Sequence, residues 1–177
     1  MPEIMKLLTV FSFGATVLTT ILFHCFDRDI YLTLAVTFGT IAYHLGSRLL
    51  TGLLYNARMK NRADYTRKWY RPHPWESRLY QFLKVKAWKN RMPVYSPEVF
   101  SVQNHTWDEI AQATCQSELV HETNMLLSFI PLAASLYFGA FYVFLITSIC
   151  GAVLDLLFVI IQRYNRPRIV KIALRQK

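Results

Sequence analysis

The segment from residue 114 to residue 122 carries the side chains best suited to acid–base chemistry. At about 100° per residue in a helix, Glu118 and His121 share one face with Thr114 and Met125, and Glu122 flanks that face. A carboxylate beside an imidazole fixes the ring tautomer and raises the basicity of the other nitrogen, as a general base for a hydroxyl requires. We therefore predict His121 as a general base, with Glu118 or Glu122 as the carboxylate that orients it. The alternative is an interfacial helix whose polar face meets water or lipid head groups.

Three further ionisable residues interrupt long apolar stretches. His44 and Arg48 stand at i and i+4 on one face of the second stretch, and Asp155 is the single charge in the last one. A charge at that depth is costly in a bilayer and is normally paired inside a helix bundle. One interpretation is an Arg48–Asp155 pair with His44 beside the polar cluster, so that His44 and Arg48 help to bind substrate. The other is a purely structural pair, or an Arg48 side chain that extends to the membrane surface.

The remaining metal-ligating and nucleophilic side chains do not form a recognisable motif. A di-iron carboxylate site needs two Glu-x-x-His sequences and two further glutamates, and a single such sequence occurs here. His73, His105 and His121 are scattered rather than spaced as zinc ligands. Cys115 lies away from His121 around the predicted helix, which favours a buried or surface thiol over a nucleophile. We therefore predict no metal and no cofactor.

Long apolar blocks place these residues in a membrane. Residues 7–26 contain no Asp, Glu, Lys or Arg, and twenty such residues are the length that a helix needs to cross about 30 Å of hydrocarbon. Residues 126–161 contain one charge and make about 54 Å of helix, enough for two short crossings with Gly139 as the hairpin point. We predict a single all-α integral membrane domain over residues 1–177. Its four transmembrane helices are predicted at about 7–26, 30–54, 126–140 and 142–161.

The distribution of Lys and Arg predicts the orientation of a multi-pass protein. Residues 55–124 hold eleven Lys or Arg against seven acids, and the tail from Gln162 holds six and no acid. Because basic loops stay in the cytoplasm, both termini and the middle segment are predicted on the cytoplasmic side. The net charge of +9 is thus a topology signal and an attraction to anionic lipid head groups. Nucleic acid is not a predicted partner, because no basic stripe stands apart from the membrane blocks.

The middle segment, residues 55–124, is predicted to be a helical segment along the cytoplasmic interface between the second and third spans. It is rich in Trp and Tyr beside Lys and Arg, a composition typical of the head-group layer. Residues 75–91 have the apolar spacing of an amphipathic helix, which a Met-Pro sequence then ends. A further helix is predicted to begin with Thr106 or Asp108 as its N-cap and to run into the third span.

Three blocks of the sequence resemble a known family in their order. They are residues 83–93, the helix at 114–122, and residues 161–168, which contain Gln-Arg-Tyr-Asn-Arg-Pro-Arg directly after an apolar span. Together they resemble the glycosyl-4,4'-diaponeurosporenoate acyltransferases, small proteins of the bacterial cell membrane, over roughly residues 75–170. The resemblance implies transfer of a fatty acyl group to a sugar hydroxyl of a glycosylated carotenoid acid, the last step of a staphyloxanthin-type pathway.

The resemblance to these acyltransferases implies a role for each of the predicted residues. An amphiphilic acceptor would lie in the bilayer with its hydroxyl beside His121, and the donor would be an acyl thioester or another lipid. Arg163, Asn165 or Trp88 is predicted to meet the oxyanion. Basic side chains are predicted to hold the phosphates of the donor, because guanidinium groups suit them. These side chains are Lys84, Lys86, Lys89, Arg91, Arg163, Arg166 and Arg168.

The sequence is also compatible with two other functional classes. A small membrane scaffold or partner subunit would use the basic aromatic segment to bind lipid head groups or another protein. A metal-dependent membrane enzyme would act on lipid or isoprenoid chains. Membrane lipids are predicted partners in each case, and the sequence is compatible with a homo-oligomer.

Overall fold

The computed structural model describes residues 2–176 of the chain, and every element of regular structure in that range is helical. Four long helices are joined by shorter ones and by 3-10 turns. In chain order the α-helices are α1 (Pro2–Phe26), α2 (Asp29–Met59), α3 (Glu76–Phe82), α4 (Val85–Trp88), α5 (Trp107–Leu127), α6 (Ser135–Phe138) and α7 (Phe141–Arg175). The predicted all-α class is confirmed.

The first two long helices form an antiparallel hairpin. Gly39 of α2 faces Thr16 of α1, and Gly46 faces Thr9, so the contacts proceed in opposite directions along the two helices. The connection is short because Asp27 adopts a left-handed conformation with φ of 48° and reverses the chain directly after α1. Glycines on α2 let the two helices approach closely, as small residues do where helices pack in a membrane.

The second and third long helices are also antiparallel. The Tyr43 hydroxyl of α2 donates to the carbonyl oxygen of Leu127, the last residue of α5, over 2.8 Å. Further along α2, the hydroxyls of Tyr55 and Thr123 share a hydrogen bond of 2.9 Å. α7 then runs back along α5 after a turn, so that the direction alternates through α1, α2, α5 and α7.

Three segments are long and apolar enough to cross a membrane. They are Glu3–Phe26, Trp107–Phe138 and Phe141–Arg175. Large apolar side chains on their outer surfaces are exposed, including Leu7 at 70% and Leu136 at 85%, which suits hydrocarbon and not water. The chain is therefore a membrane protein. α2 has the length of a span with 31 residues but is not among the three, and it carries the polar residues His44 and Arg48, so a fourth span stays a prediction.

The boundaries around the last two spans differ from the predicted ones. α5 crosses the predicted start of the third span, as predicted, but it ends directly afterwards at Leu127. The remainder of that span is a 3-10 turn, Ile130–Ala134, followed by α6, because Pro131 cannot donate a backbone hydrogen bond. The break at Gly139 is confirmed, with φ of 66° there. α7 runs past the predicted end at residue 161 as far as Arg175.

The segment between α2 and α5 contains short helices instead of one amphipathic helix. The predicted helix at 75–91 is broken where Lys84 has φ of 49°, and α3, α4 and a 3-10 turn at Lys89–Arg91 replace it. The indole nitrogen of Trp88 donates to the carbonyl oxygen of Leu83 over 2.9 Å and closes the bend. Val85 is fully buried beneath it. The helical content ends before Met-Pro, as predicted.

Thr106 is the N-cap of α5, one of the two residues predicted for that role. Its hydroxyl accepts from the Glu109 backbone, and the Glu109 carboxylate accepts from the Thr106 backbone over 2.8 Å. This reciprocal pair satisfies two backbone N–H groups that the first helical turn leaves without partners. The cap stabilises the first turn of α5, the helix that carries the candidate site.

We predict that Thr106→Ala lowers the free energy of unfolding by about 1 kcal/mol, because the first turn of α5 loses its cap. Thr37→Ala is the matched control, since the exposed Thr37 hydroxyl bonds only the Thr33 carbonyl of its own helix. Titration of both variants with a denaturing detergent, followed by circular dichroism, measures the difference. Equal stability of the two variants would contradict the capping assignment.

Candidate active site

α5 and α7 bring the imidazole of His121 against the carboxylate of Asp155. His121 Nδ1 lies 2.9 Å from Asp155 Oδ1, and Asp155 is 2% exposed. The Phe158 ring stacks on the imidazole with the ring centroids 4.7 Å apart, which holds the plane of the imidazole. An ionised carboxylate only accepts hydrogen bonds, so in the neutral ring Nδ1 carries the proton and Nε2 has the lone pair. Within residues 2–176 Nε2 has no hydrogen-bond partner, and the His121 side chain is 22% exposed.

Arg48 holds the other oxygen of the same carboxylate. Its Nη2 donates to Asp155 Oδ2 over 2.6 Å, to the Gly151 carbonyl oxygen over 3.0 Å and to the Ser128 hydroxyl over 3.3 Å. Its Nη1 donates to the His44 carbonyl oxygen over 2.7 Å. The predicted Arg48–Asp155 pair is confirmed. Because α2, α5 and α7 all contribute to these contacts, the guanidinium ties three helices together at the level of His121.

Glu118 is not the carboxylate that bonds His121, contrary to the sequence prediction. Its side chain is fully buried and accepts from Arg163 Nη1 over 2.6 Å and from Arg166 Nη2. Both Glu118 and His121 face α7, as their spacing predicted, but they meet different residues of that helix. Glu118 lies opposite the two arginines, whereas His121 lies opposite Asp155. Charge-assisted bonds from two guanidinium groups are the stronger partners for a buried carboxylate.

The two arginines connect the middle segment to the bundle. Arg163 also bonds Glu76 over 2.6 Å and donates to the carbonyl oxygens of Trp69 and Arg71. Each nitrogen of its guanidinium therefore has an acceptor within the protein. The structure gives Arg163 this structural role, and its predicted contact with an oxyanion or phosphate stays a prediction.

Arg166 is engaged in the same way. It is 2% exposed and donates to the hydroxyl and carbonyl oxygens of Thr114 and to the carbonyl oxygen of Tyr70, besides its bond to Glu118. Its guanidinium also lies 5.0 Å from the centroid of the Tyr70 ring. A buried guanidinium with these contacts does not present a face to a substrate phosphate. We name the set Glu76, Glu118, Arg163 and Arg166 the interface clamp.

The sequence signature of the glycosyl-4,4'-diaponeurosporenoate acyltransferases matches residues 66–175, which is more than half of the chain. The chain belongs to this family. The predicted family is thus confirmed, and it suggests an acyltransferase of carotenoid glycolipid biosynthesis in a bacterial membrane. Searches of curated proteins and of solved structures gave no match. The range that defines the family contains His121, Asp155 and the interface clamp, whereas Arg48 lies outside it.

Glu122, the third residue predicted as catalytic, lies beside the pair formed by His121 and Asp155. Its Oε2 accepts from the indole nitrogen of Trp69 over 3.1 Å. Glu122 therefore contacts the middle segment, and its catalytic role in the acyltransferase stays a prediction. The contact adds Trp69, which the sequence did not single out, to the surroundings of the candidate site.

Three residues predicted to bind substrate form a group in the C-terminal half of α7 and the segment that packs on it. Lys89 Nζ donates to Asn165 Oδ1 over 2.8 Å, and the cationic groups of Lys89 and Arg168 lie 5.4 Å and 4.6 Å from the centroid of the Tyr164 ring. Lys86, three residues before Lys89 in the sequence, is exposed. Tyr164 and Asp155 are separated by about 14 Å along α7. Phosphate binding by this group stays a prediction, whereas the indole nitrogen of Trp88 already bonds Leu83 and is engaged within the protein.

His44 lies next to the candidate site on the side away from the interface clamp. An ideal Cβ on Gly151 would stand 3.4 Å from His44 Nδ1 and 3.0 Å from Arg48 Nη2, which places both side chains around one point of α7. Among the residues that the structure describes, neither buried ring nitrogen of His44 has a hydrogen-bond partner. His44 is therefore near the polar cluster, as one of the two interpretations required, and its contact with substrate stays a prediction.

Cys115 is buried, and its thiol contacts the Ala111 carbonyl oxygen at 3.5 Å. A thiol enclosed in the α5–α7 contact is not accessible to a substrate, which agrees with the interpretation of Cys115 as a core residue. Within residues 2–176 no group of three or more His, Cys, Asp or Glu side chains is placed to hold a metal ion.

The interface clamp makes the docking of the middle segment sensitive to pH through Glu76. Burial by itself would raise the pKa of Glu76, but hydrogen bonds from Arg163, Tyr80 and the His73 backbone outweigh burial and lower the pKa below 4.5. A carboxyl group whose pKa is lower in the folded state stabilises the fold above the pKa of the unfolded state. That stabilisation is lost as the pH falls through the lowered pKa.

We predict that Glu76→Gln lowers the free energy of unfolding at neutral pH by about 1.5–3 kcal/mol, because bonds to a charged group become neutral ones. The difference from the unchanged protein should begin to shrink as the pH falls below 4.5 and should vanish below the lowered pKa, where the wild-type carboxyl group of the folded protein is protonated too. Glu98→Gln at an exposed position is the control. Thermal unfolding in detergent across that pH range measures both, and a difference that does not change with pH would contradict the assignment.

We predict that Gly151→Ala weakens the Arg48–Asp155 contact without removing a charge. The added methyl group would stand 3.0 Å from Arg48 Nη2 and 3.1 Å from Ser128 Oγ, so the guanidinium must move. Overpacking of this kind costs about 1–3 kcal/mol. The control is Gly52→Ala in α2, where no heavy atom lies within 4 Å of the new Cβ and a helix interior gains about 0.5–1 kcal/mol. Detergent unfolding curves should therefore move in opposite directions for the two variants.

Proposed function

We propose that this member of the family is an O-acyltransferase that moves a fatty acyl group to a hydroxyl of a glycolipid or glycosylated terpenoid. The donor in this proposal is an acyl thioester or another lipid. One observation carries it, namely the bond between His121 Nδ1 and Asp155 Oδ1 on a partly exposed side chain, which in the neutral ring leaves the lone pair on Nε2. Membership of an acyltransferase family supplies the reaction class in which such a base is needed.

His121 acts as the general base in this mechanism. Nε2 takes the proton of the acceptor hydroxyl while the hydroxyl oxygen attacks the acyl carbonyl carbon. Asp155 keeps the ring in the required tautomer and stabilises the imidazolium that forms, as the carboxylate does in the Ser-His-Asp arrangement. When the tetrahedral intermediate collapses, Nε2 returns the proton to the departing thiolate or alkoxide. The imidazole therefore ends the cycle in its starting state, with one ester bond formed and one broken.

Arg48 balances the charge of this arrangement. A carboxylate next to a neutral imidazole would be an unpaired charge in a low-dielectric bundle, which is costly. With Arg48 on Oδ2, the resting site is neutral overall, and Oδ1 remains free to accept from His121. Arg48 is thus a positioning residue that acts through Asp155. The same geometry disfavours transfer of the imidazole proton to Asp155, because Arg48 already satisfies the other oxygen.

We also propose that α2 is a fourth span and that the termini and the middle segment lie on the cytoplasmic side. The alternating direction of α1, α2, α5 and α7 supports four crossings, and the basic middle segment and tail support this orientation. An amphiphilic acceptor in the inner leaflet would then present its hydroxyl at the level of His121. Lys86, Lys89 and Arg168 lie toward the same side, where the phosphates of a donor would be.

We predict that His121→Ala and Asp155→Asn each lower the rate of acyl transfer by about 10²–10⁴-fold, because the general base or its orientation is lost. The assay compares lipid extracts of cells with and without the gene by mass spectrometry, and the product is a species heavier by one acyl chain. His24→Ala, on the exposed surface of α1, is the matched control. Size-exclusion chromatography in detergent verifies that each variant is folded.

Full acyl transfer by a folded His121→Ala variant would end this mechanism. A membrane scaffold, with the catalysis supplied by another protein, would give this result, because it does not need the imidazole of His121. Glu118→Gln does not discriminate between the two functions, because the structure places Glu118 in the interface clamp and the substitution leaves two guanidinium groups without their carboxylate.

A further inference from the structure

Trp69 of the middle segment presents a large aromatic surface close to the proposed base. The residue is 62% exposed, although tryptophan is a residue type that folded proteins bury to a high degree on average. Among the residues that the structure describes, no aromatic ring and no cationic group stacks on its indole. Nothing in the proposed mechanism uses this ring.

Hydrogen bonds at both ends hold Trp69 along α5. Arg163 Nη1 donates to the Trp69 carbonyl oxygen over 3.1 Å and to Glu118 Oε1 over 2.6 Å, so the backbone of Trp69 lies near Glu118. The indole nitrogen donates to Glu122 Oε2 over 3.1 Å. Glu122 stands about 6 Å further along the helix than Glu118, and His121 lies between them. The indole therefore extends along α5 to the level of His121.

The indole also lies on the side of α5 that adjoins the face of His121. At about 100° per residue, Glu118 and Glu122 are turned by about 60° and 100° from His121 in the same direction around the helix. Thr123, which contacts α2, is turned by about 160° in the opposite direction. The middle segment, and not α2, thus flanks the proposed base on this side.

An aromatic face beside a carboxyl group matches the chemistry of a sugar ring. The faces of a hexose carry C–H groups, whose slightly positive hydrogens pack against the negative face of an aromatic ring. The hydroxyl groups at its edge need hydrogen-bond partners. A carboxylate accepts about four hydrogen bonds, and the indole of Trp69 occupies one position on Glu122. The others can accept from sugar hydroxyls.

Other head groups fit this arrangement less well. A phosphate needs hydrogen-bond donors, but Glu118 and Glu122 offer acceptors beside the indole, and each nitrogen of the Arg163 guanidinium is engaged within the protein. A choline group would suit an aromatic ring next to a carboxylate. It carries no hydroxyl, however, whereas a sugar has several and can place one of them at His121.

We propose that Trp69 and Glu122 form a sugar-binding platform for the acceptor. The hexose stacks on the indole, one of its hydroxyls donates to Glu122, and another hydroxyl of the same ring reaches His121 Nε2. The inference rests on the proposed function, which supplies an acceptor that bears a sugar. Because Trp69 and Glu122 are fixed before the acceptor arrives, binding orders few protein groups, and the position of the ring determines which hydroxyl is acylated.

Saturation-transfer difference NMR on the full chain in lipid nanodiscs tests the platform without an acyl donor. The probe is n-octyl β-D-glucopyranoside, and empty nanodiscs give the background. We expect the ring protons on one face of the hexose to be saturated more strongly than those on the other, because one face lies on the indole. Equal saturation of both faces, or saturation confined to the octyl chain, would overturn the proposal.

Trp69→Leu removes the aromatic face and keeps an apolar side chain. The dissociation constant of the probe should rise about tenfold, the factor expected when roughly 60 Å² of apolar surface is no longer covered. Trp75→Leu is the matched control, since Trp75 is 59% exposed in the same middle segment. Equal weakening by both substitutions would assign Trp69 to contact with the membrane surface instead. The difference between the two faces in the unchanged protein decides the matter if Trp69→Leu does not fold.

Octylphosphocholine under the same conditions tests the rival head group. We expect no saturation of its choline methyl protons above that of empty nanodiscs. Saturation that Trp69→Leu abolishes and Trp75→Leu retains would identify an ammonium site and would rule out the sugar platform.

The platform and the catalytic mechanism fail in different ways, because probe binding does not need a base. One-sided saturation of the hexose together with full acyl transfer by His121→Ala would keep the platform and end the mechanism. Loss of transfer in His121→Ala together with equal saturation of both faces would keep the mechanism and end the platform.

Discussion

A carboxylate enclosed by apolar helices needs cationic or hydrogen-bonding partners on both of its oxygens, and Asp155 of α7 meets this constraint with residues from two neighbouring helices. Arg48 of α2 takes one oxygen and His121 of α5 takes the other. The energy of an unpaired charge in a low-dielectric environment makes separation of these helices unfavourable. The same contacts that compensate the charge also hold Nδ1 of His121 in place, so that stability and the proposed chemistry both depend on the Asp155 side chain.

The interface clamp repeats this arrangement nearer the C-terminal end of α7 with a different consequence. Two carboxylates and two guanidinium groups neutralise one another, and Arg163 and Arg166 also bond backbone carbonyl oxygens of the middle segment. That segment has few long helices to stabilise it, so these bonds determine where it docks. The polar residues of α5 therefore belong to two functions that lie one helical turn apart. Glu118 binds the two arginines of α7 and stabilises the fold, whereas His121 faces the space in which a substrate would react.

The local features of this chain could be predicted because they depend on residues close together in the sequence. The lengths of the apolar stretches determine the long helices, Gly139 interrupts one of them, and the Thr106 cap begins another. The Arg48–Asp155 pair could also be predicted, since opposite charges in apolar segments have few other partners. The order of three sequence blocks was sufficient for the family, because those blocks lie within the range that the family signature matches.

The sequence by itself thus determined a helical membrane protein, its family and the face of α5 that carries Glu118 and His121. Only the tertiary structure decided what that face meets. A spacing of three residues shows that two side chains point the same way, but it contains no information about a helix that begins 20 residues later in the chain. The antiparallel packing of α5 and α7 placed two arginines opposite Glu118 and a carboxylate opposite His121. The choice of partner followed from that register, because each buried charge must be compensated by whatever group the neighbouring helix brings within reach.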